Sequence, residues 1–257
     1  MSVYAEERQQ AIAALVAARG RVSVAVLADR YGVTTETVRR DLAHLERLGL
    51  VRRVHGGAIP AASLSVAEPA LSEREHTRAE HKDRIAAAAT SFLPPSGGSV
   101  LFDAGTTTGR IVGALPPEVD LTVVTNSVPI AARLAAMSTV QLHLLGGRVR
   151  GVTQAAVGAE ALATLSTVHV DVAFIGTNAL SIDHGLSTPD ADEAAVKRAM
   201  VRTADRVVVV ADSSKVGRRN LLSFASLEPI DVLVTDTDLD DTDRRQLIEH
   251  GIEVVTT

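Results

Sequence analysis

Near its start the chain carries apolar residues at helical spacing. Ile12, Leu15 and Val16 share one face of a segment from Ala5 to Arg19, and Gly20 stands where a C-terminal cap belongs. Ser23 caps a second predicted helix, Val24 to Tyr31, whose Val26, Leu27 and Tyr31 form a short apolar face before Gly32 permits a tight turn. Thr34 caps a third, with Glu36 in its first turn, an inward stripe of Val38, Leu42, Leu45 and Leu48, and Gly49 at its end. The following LVRRVHGGA predicts two short strands, the shape of a wing. From Ile59 to Glu75 periodicity lapses among proline, serine and small residues, which predicts a linker.

Beyond the linker the period changes. A helix over His81 to Phe92 leads into the apolar runs SVLF, LTVVT, VQLHLL, VDVAFI, VVVVA, DVLVT and IEVV, separated by helical stretches. Valine-rich strands alternating with helices predict a largely parallel sheet covered on both faces. The chain therefore divides into a winged helix-turn-helix over residues 1–58, a linker over 59–75 and an α/β domain over 76–257.

Side chains left off the apolar stripes suggest the first function. With Val38 and Leu42 turned inward, Thr35, Arg39 and Arg40 project from the start of the third helix, a surface suited to a major groove. Ser23, Thr34 and Thr37, together with Arg52, Arg53 and His55 of the wing, complete the expected DNA-contacting set, the wing residues reaching phosphates. Charge distribution agrees: the chain has net charge −5, yet residues 1–58 hold nine Lys or Arg against six Asp or Glu, net +3, leaving −8 for the remainder. Aromatics make up only 2% of residues, too few to stack single-stranded bases, so the expected nucleic-acid partner is a duplex.

The second function lies at the strand ends, where open α/β sheets bind ligands. After SVLF comes DAGTTTG, in which Gly105 lets the backbone approach and Thr106, Thr107 and Thr108 open a helix whose N-terminus favours an anion. Neither a Walker loop nor a dinucleotide fingerprint is present at that turn. Asn126 and Ser127, Gly147, Arg148 and Arg150, Asn178, and Asp212 with Lys215 follow later strands, and Glu193 and Lys197 share a helix. Convergence of these groups describes a pocket for a small phosphorylated ligand. Each also has a structural reading: the threonines as helix caps, Gly146 and Gly147 as a hairpin, and Glu193 with Lys197 as a helical pair at spacing four.

TTETVRRDLAHLERLGLVRRVHGGA, with DAGTTTG, VVTNS, LLGGRVR, VDVAFIGTN and ADSSK, resembles the DeoR family of bacterial regulators over nearly the whole chain. The resemblance implies a sensor domain similar to ribose-5-phosphate isomerase, binding a phosphorylated sugar that releases the regulator from its operator. It assigns the phosphate to Gly105, Thr106, Thr107 and Thr108, and places Asp103, Asn126, Arg148, Asn178, Glu193, Lys197, Asp212 and Lys215 around the sugar. AEERQQAIAALVAARGRVSV, FLPPSGGSV and GLSTPDADEAAVKRAM look most like actinobacterial regulators associated with fructose uptake, which implies fructose 1-phosphate as effector. The isomerase's acid-rich and Gly-rich catalytic stretches have no clear counterpart, so no catalytic residue is assigned. The alternative is an isomerase-like enzyme carrying a DNA-binding domain.

The remaining expectations are exclusions. Scattered histidines without HxH or HExxH spacing, and no cysteine, predict no metal site and no cofactor. SEREHTRAEHKDR reads as a solvated charged stretch. No apolar run approaches membrane-spanning length and the N-terminus lacks signal-peptide character, so a cytoplasmic protein with no membrane partner is expected. The helix-turn-helix class implies a homodimer or homotetramer on double-stranded operator DNA.

Overall fold

The computed structural model describes residues 5–47, 50–54, 56–60 and 69–257. Their packing separates two compact units that divide near residue 65.

In the N-terminal unit, α1 (Ala5–Arg19), α2 (Val24–Tyr31) and α3 (Thr35–Arg47) lie with β1 (Val22–Ser23), β2 (Val51–Val54) and β3 (Gly57–Pro60). The strands form an antiparallel sheet in the order β1-β3-β2, giving the expected winged helix-turn-helix. Ser23 Oγ accepts the Val26 N–H at 3.2 Å to start α2, and Gly32, at φ 62°, ends it in the left-handed conformation that favours glycine. Ile12, Val16, Leu27, Val38, Leu42 and Leu45 form the core, whereas Val26, expected on the apolar face, is 46% exposed. Eight residues make barely two turns, so α2 buries only Leu27 fully. Leu48 and Gly49 lie outside the described residues.

A buried ion pair ties α1 to α3. Arg8 Nε meets Asp41 Oδ2 at 2.7 Å, its Nη2 meets Oδ1 at 3.2 Å, and Gln9 Nε2 also donates to Oδ1 at 2.9 Å. The carboxylate raises the Arg8 pKa, chiefly through that hydrogen bond.

The linker is shorter than expected at both ends. Ile59 and Pro60 belong to β3, where Ile59 is buried and Pro60 closes the strand opposite Val51, a position that tolerates a missing N–H. At the other end α4 (Leu71–His76) is helical, its Leu71 N–H bonded to the Val152 carbonyl at 3.1 Å. Residues 61–68 lie outside the described set.

The C-terminal unit continues through α5 (Ala79–Ala89), a 3-10 turn (Thr90–Phe92), β4 (Ser99–Phe102), α6 (Thr106–Gly113), β5 (Leu121–Thr125), α7 (Val128–Leu134) and β6 (Val140–Leu144). Next come β7 (Arg148–Arg150), β8 (Ala155–Val157), α8 (Ala159–Leu165), β9 (Val170–Gly176), β10 (Ala179–Ser181) and β11 (Gly185–Thr188). The unit ends with α9 (Ala191–Arg202), β12 (Ala204–Val210), a 3-10 turn (Ser213–Lys215), β13 (Leu222–Ala225), β14 (Val232–Thr235), α10 (Asp241–Glu249) and β15 (Glu253–Thr256).

All the expected strands join one parallel seven-stranded sheet, in the order β15-β14-β12-β9-β4-β5-β6. Strand alternation divides the core in two. Val100, Phe102, Phe174, Val208 and Val210 pack with Ile85, Ile111 and Ile130 on one face; Leu101, Ile175, Val207 and Val209 pack with Leu165, Val196 and Leu247 on the other. From β4 the chain winds outward to β5 and β6, then returns to β9 on the other side of β4 and winds the opposite way. The strand order thus reverses between β4 and β9, where a doubly wound sheet opens a crevice at its carboxyl rim. Two small antiparallel sheets, β7-β8 and β10-β11-β13, decorate that framework and were not legible as strands.

Candidate functional sites

On the N-terminal unit, Thr35, Arg39 and Arg40 are exposed on α3, as the helical stripe requires. Arg39 lies 3.5 Å from Glu36 one turn earlier, a loose surface pair that leaves the guanidinium accessible. Other expected contacts have structural duties. Ser23 Oγ is spent on capping α2, and Thr34 Oγ1 accepts the Thr37 N–H at 3.2 Å while lying 2.9 Å from the Thr37 hydroxyl. Arg53 is held on Glu46, Nε to Oε2 at 2.7 Å and backbone N–H to Oε1 at 2.8 Å, which lowers the Glu46 pKa. The Arg52 side chain and His55 lie outside what the structure describes. Among the described residues of this expected set, Arg39, Arg40 and Arg53 are exposed, Arg53 being held on Glu46.

In the C-terminal unit the strand reversal gathers several of the expected residues. Asp103 follows β4 and is buried, its Oδ2 accepting from the Gly176 N–H at 3.0 Å and from Lys197 Nζ, which also donates to the Gly176 carbonyl at 3.0 Å. Burial pushes the Asp103 carboxyl pKa up, against the opposing pull of Lys197. Asp103 Oδ1 has no hydrogen-bond partner among the described residues. An unpaired buried carboxylate oxygen is costly, so its site invites a donor.

Asn126 braces the same loop, accepting the Ala104 N–H at 3.0 Å and donating to the Ala156 carbonyl at 3.2 Å. Glu193 and Lys197 do not form the helical pair that their spacing suggests. Lys197 reaches Asp103, while Glu193 accepts from Arg150 and from the Thr153 hydroxyl. Arg150 Nε also lies 3.1 Å from Asp190, and exposed Arg148 pairs with Asp192. Gly147 precedes β7 instead of turning the hairpin; it sits at φ 121°, with a Cβ position only 2.5 Å from the Val157 carbonyl oxygen. The hairpin turns at residues 151–154 instead.

The loop expected to hold a phosphate presents fewer threonines than the sequence suggests. Gly105 and Thr106 line a cavity of about 380 Å³ with Ser127, Thr153, Arg110 and residues of α4, but Thr107 and Thr108 are buried. Thr108 Oγ1 donates to the Gly105 carbonyl at 3.0 Å, a cap within its own turn. Backbone N–H groups in the first turn of α6 have no partner within the helix, as an anion site needs.

The roles of Arg78 and Lys82 escaped the sequence reading because both sit in the charged stretch expected to be solvated. Arg78 Nη2 meets Asp236 at 3.0 Å and Asp238 at 2.9 Å, and its Nε lies 3.5 Å from Asp212. Lys82 is buried, donates to the Arg74 carbonyl, and has its pKa lowered to about 8 by burial. Asp212 caps the 3-10 turn through the Ser214 N–H at 3.2 Å, which sets Lys215 at its end. His81, Asp236 and Asp238 have the composition of a metal site, but both carboxylates already carry Arg78. Asn178 follows β9 and is half-buried. Among the described residues no helix is long and apolar enough to cross a membrane.

Comparison with known proteins covers both units. Residues 8–63 match the DeoR-like helix-turn-helix domain and residues 77–237 the DeoR C terminal sensor domain. The HTH-type transcriptional regulator GlpR of Haloferax volcanii is 41% identical over 249 residues, covering 97% of this chain and 96% of the relative. The glycerol-3-phosphate regulon repressor of Escherichia coli is 30% identical, covering 96% and 97%. Among solved structures, ribose 5-phosphate isomerase A of Methanocaldococcus jannaschii overlaps 55% of each chain at 16% identity and a TM-score of 0.41. With both domain models matched in order and full-length relatives on either side of one-third identity, the chain belongs to the DeoR family of transcriptional regulators.

Proposed function

We propose that this regulator represses a sugar-catabolic operon and is released from its operator by a small phosphorylated sugar. The reading rests on the strand reversal: a buried Asp103 with one oxygen unpaired stands beside the start of α6, where Gly105 and Thr106 open onto the cavity. A hydroxyl donor satisfies the first and an anion the second, which together describe a sugar phosphate. Fructose 1-phosphate is the leading effector on the strength of the sequence resemblance. Arg39 and Arg40 read the major groove, and a homodimer or homotetramer places two copies of α3 on successive half-sites.

Sensing is favoured over isomerisation by the state of the two buried carboxylates. Asp103 is bound by Lys197 and Glu193 by Arg150, so neither stands ready as a mobile proton carrier. The test is a gel-shift titration on DNA upstream of its gene with fructose 1-phosphate, glucose 6-phosphate and glycerol 3-phosphate, with product formation assayed in the same tubes. Release without turnover is expected. Turnover at substrate concentrations would favour the enzyme, and indifference to every sugar phosphate would remove the sensing role.

A further inference from the structure

The cavity beside the start of α6 is shared with α4. Together with Gly105, Thr106 and Gly109 it is lined by Leu71, Glu75 and His76, all from α4, and by Ala79, the first residue of α5. This is the first described helix after residues 61–68, and through them the chain reaches the DNA-binding unit. At about 380 Å³ the space falls within the roughly 300–1,000 Å³ of small-molecule sites.

α4 is poorly suited to stand alone. Six residues are too few for an independent helix, and none of its side chains is buried. Polar clamps hold both its ends. At the start, the Leu71 N–H bonds to the carbonyl of Val152 in the hairpin turn, next to Thr153, whose hydroxyl donates to Glu193. At the finish, Arg110 Nη2 donates to the Glu75 carbonyl at 2.8 Å and Lys82 donates to the Arg74 carbonyl. Arg110 belongs to α6 itself, one turn beyond Thr106, and its Nη1 meets Asp83 at 2.8 Å. A helix so short, anchored mainly by hydrogen bonds, is a low-stability element that ligand contacts can shift at small cost.

We propose that α4 is the element that reads ligand occupancy: a phosphorylated ligand seated at Gly105 and Thr106 touches α4 directly and, through Arg110, resets the clamp on its C-terminal end. The inference rests on the sugar-phosphate reading above and assigns that site its output. It makes Arg110 a positioning residue for the response, and Glu75 and His76 contributors to ligand choice.

The experiment is hydrogen exchange on the full-length protein with and without fructose 1-phosphate, glucose 6-phosphate or glycerol 3-phosphate, paired with Arg110→Gln. A probe that binds is expected to change exchange both at residues 105–109 and at residues 71–77. In Arg110→Gln, the probe concentration for half-release from the operator should rise about ten-fold relative to the probe's own Kd. Comparing the two constants within one variant separates coupling from any loss of affinity. Protection at 105–109 with no change at 71–77 would overturn the role of α4 while leaving the pocket intact. An unchanged ratio of the two constants in Arg110→Gln would remove Arg110 from the relay. No response at either segment to any probe would sink the pocket and the relay together.

Discussion

Each unit buries an ion pair, and the two pairs are finished differently. In the N-terminal unit both oxygens of Asp41 accept hydrogen bonds, from Arg8 and Gln9, so the pair is saturated. In the C-terminal unit Asp103 spends Oδ2 on Lys197 and Gly176 and leaves Oδ1 unpaired. A saturated buried pair has nothing left to bind and serves to fix α1 against α3. An unsaturated one holds a carboxylate oxygen in reserve, which is the chemistry of a receptor.

The contrast breaks most visibly at its saturated side. Asp41→Ala removes the carboxylate that receives both Arg8 and Gln9 in the buried pair and should cost the N-terminal unit about 3 kcal/mol, read as a lowered urea midpoint and lost operator binding. Asp103→Asn should cost less, about 2–3 kcal/mol, because Lys197 keeps the Gly176 carbonyl and lies 5.5 Å from the centre of the Phe224 ring. Its distinguishing result is ligand linkage: fructose 1-phosphate should raise the wild-type melting temperature and leave that of the variant unmoved. Equal shifts would show that Oδ1 receives nothing.

Lys82 offers a third case, a buried cation that donates to the Arg74 carbonyl. Its folded pKa of about 8 lies below the ordinary lysine value of 10.5, so between those values the unfolded chain binds more protons. Stability should therefore climb by about 2 kcal/mol as pH rises through that window. Denaturant titrations at pH 7.5 and 10 should show the climb in the wild type and its absence in Lys82→Met.

Two smaller effects bear on the exposed side of the comparison. Arg39→Ala and Arg40→Ala should each cost about 1–2 kcal/mol of operator affinity if they contact guanine, with specificity relaxed at one base pair. Unchanged binding in both would move recognition elsewhere on the unit. Ser23→Ala should cost about 1 kcal/mol of stability through its cap, and should leave base preference as it was.

How far the chain could be read follows from which signals are local. Helical stripes such as Val38, Leu42 and Leu45, and runs such as Val207 to Val210, announce themselves because their periodicity lies within one element. The Ser23 cap was equally plain. Legibility failed where partners are remote. Lys82 looks solvated beside its charged neighbours, and only the fold buries it against Arg74 and near Asp212. Glu193 and Lys197 have a local explanation ready, yet each turns to a different loop. The ribbons β7-β8 and β10-β11-β13 have strands of three or four residues, too short for a period to show. At the pocket, the residue types were legible, but which threonine faces the cavity depends on the rotation of α6.

The single direction of the seven strands has a practical consequence for anyone redesigning this sensor. Since every strand of the sheet ends at one rim, the loops that follow them can be exchanged while the two apolar layers beneath stay untouched. On the proposed reading, retuning the protein to another metabolite is a problem of editing the loops around Gly105, Ser127 and Thr153, with the valine-rich sheet as a fixed chassis.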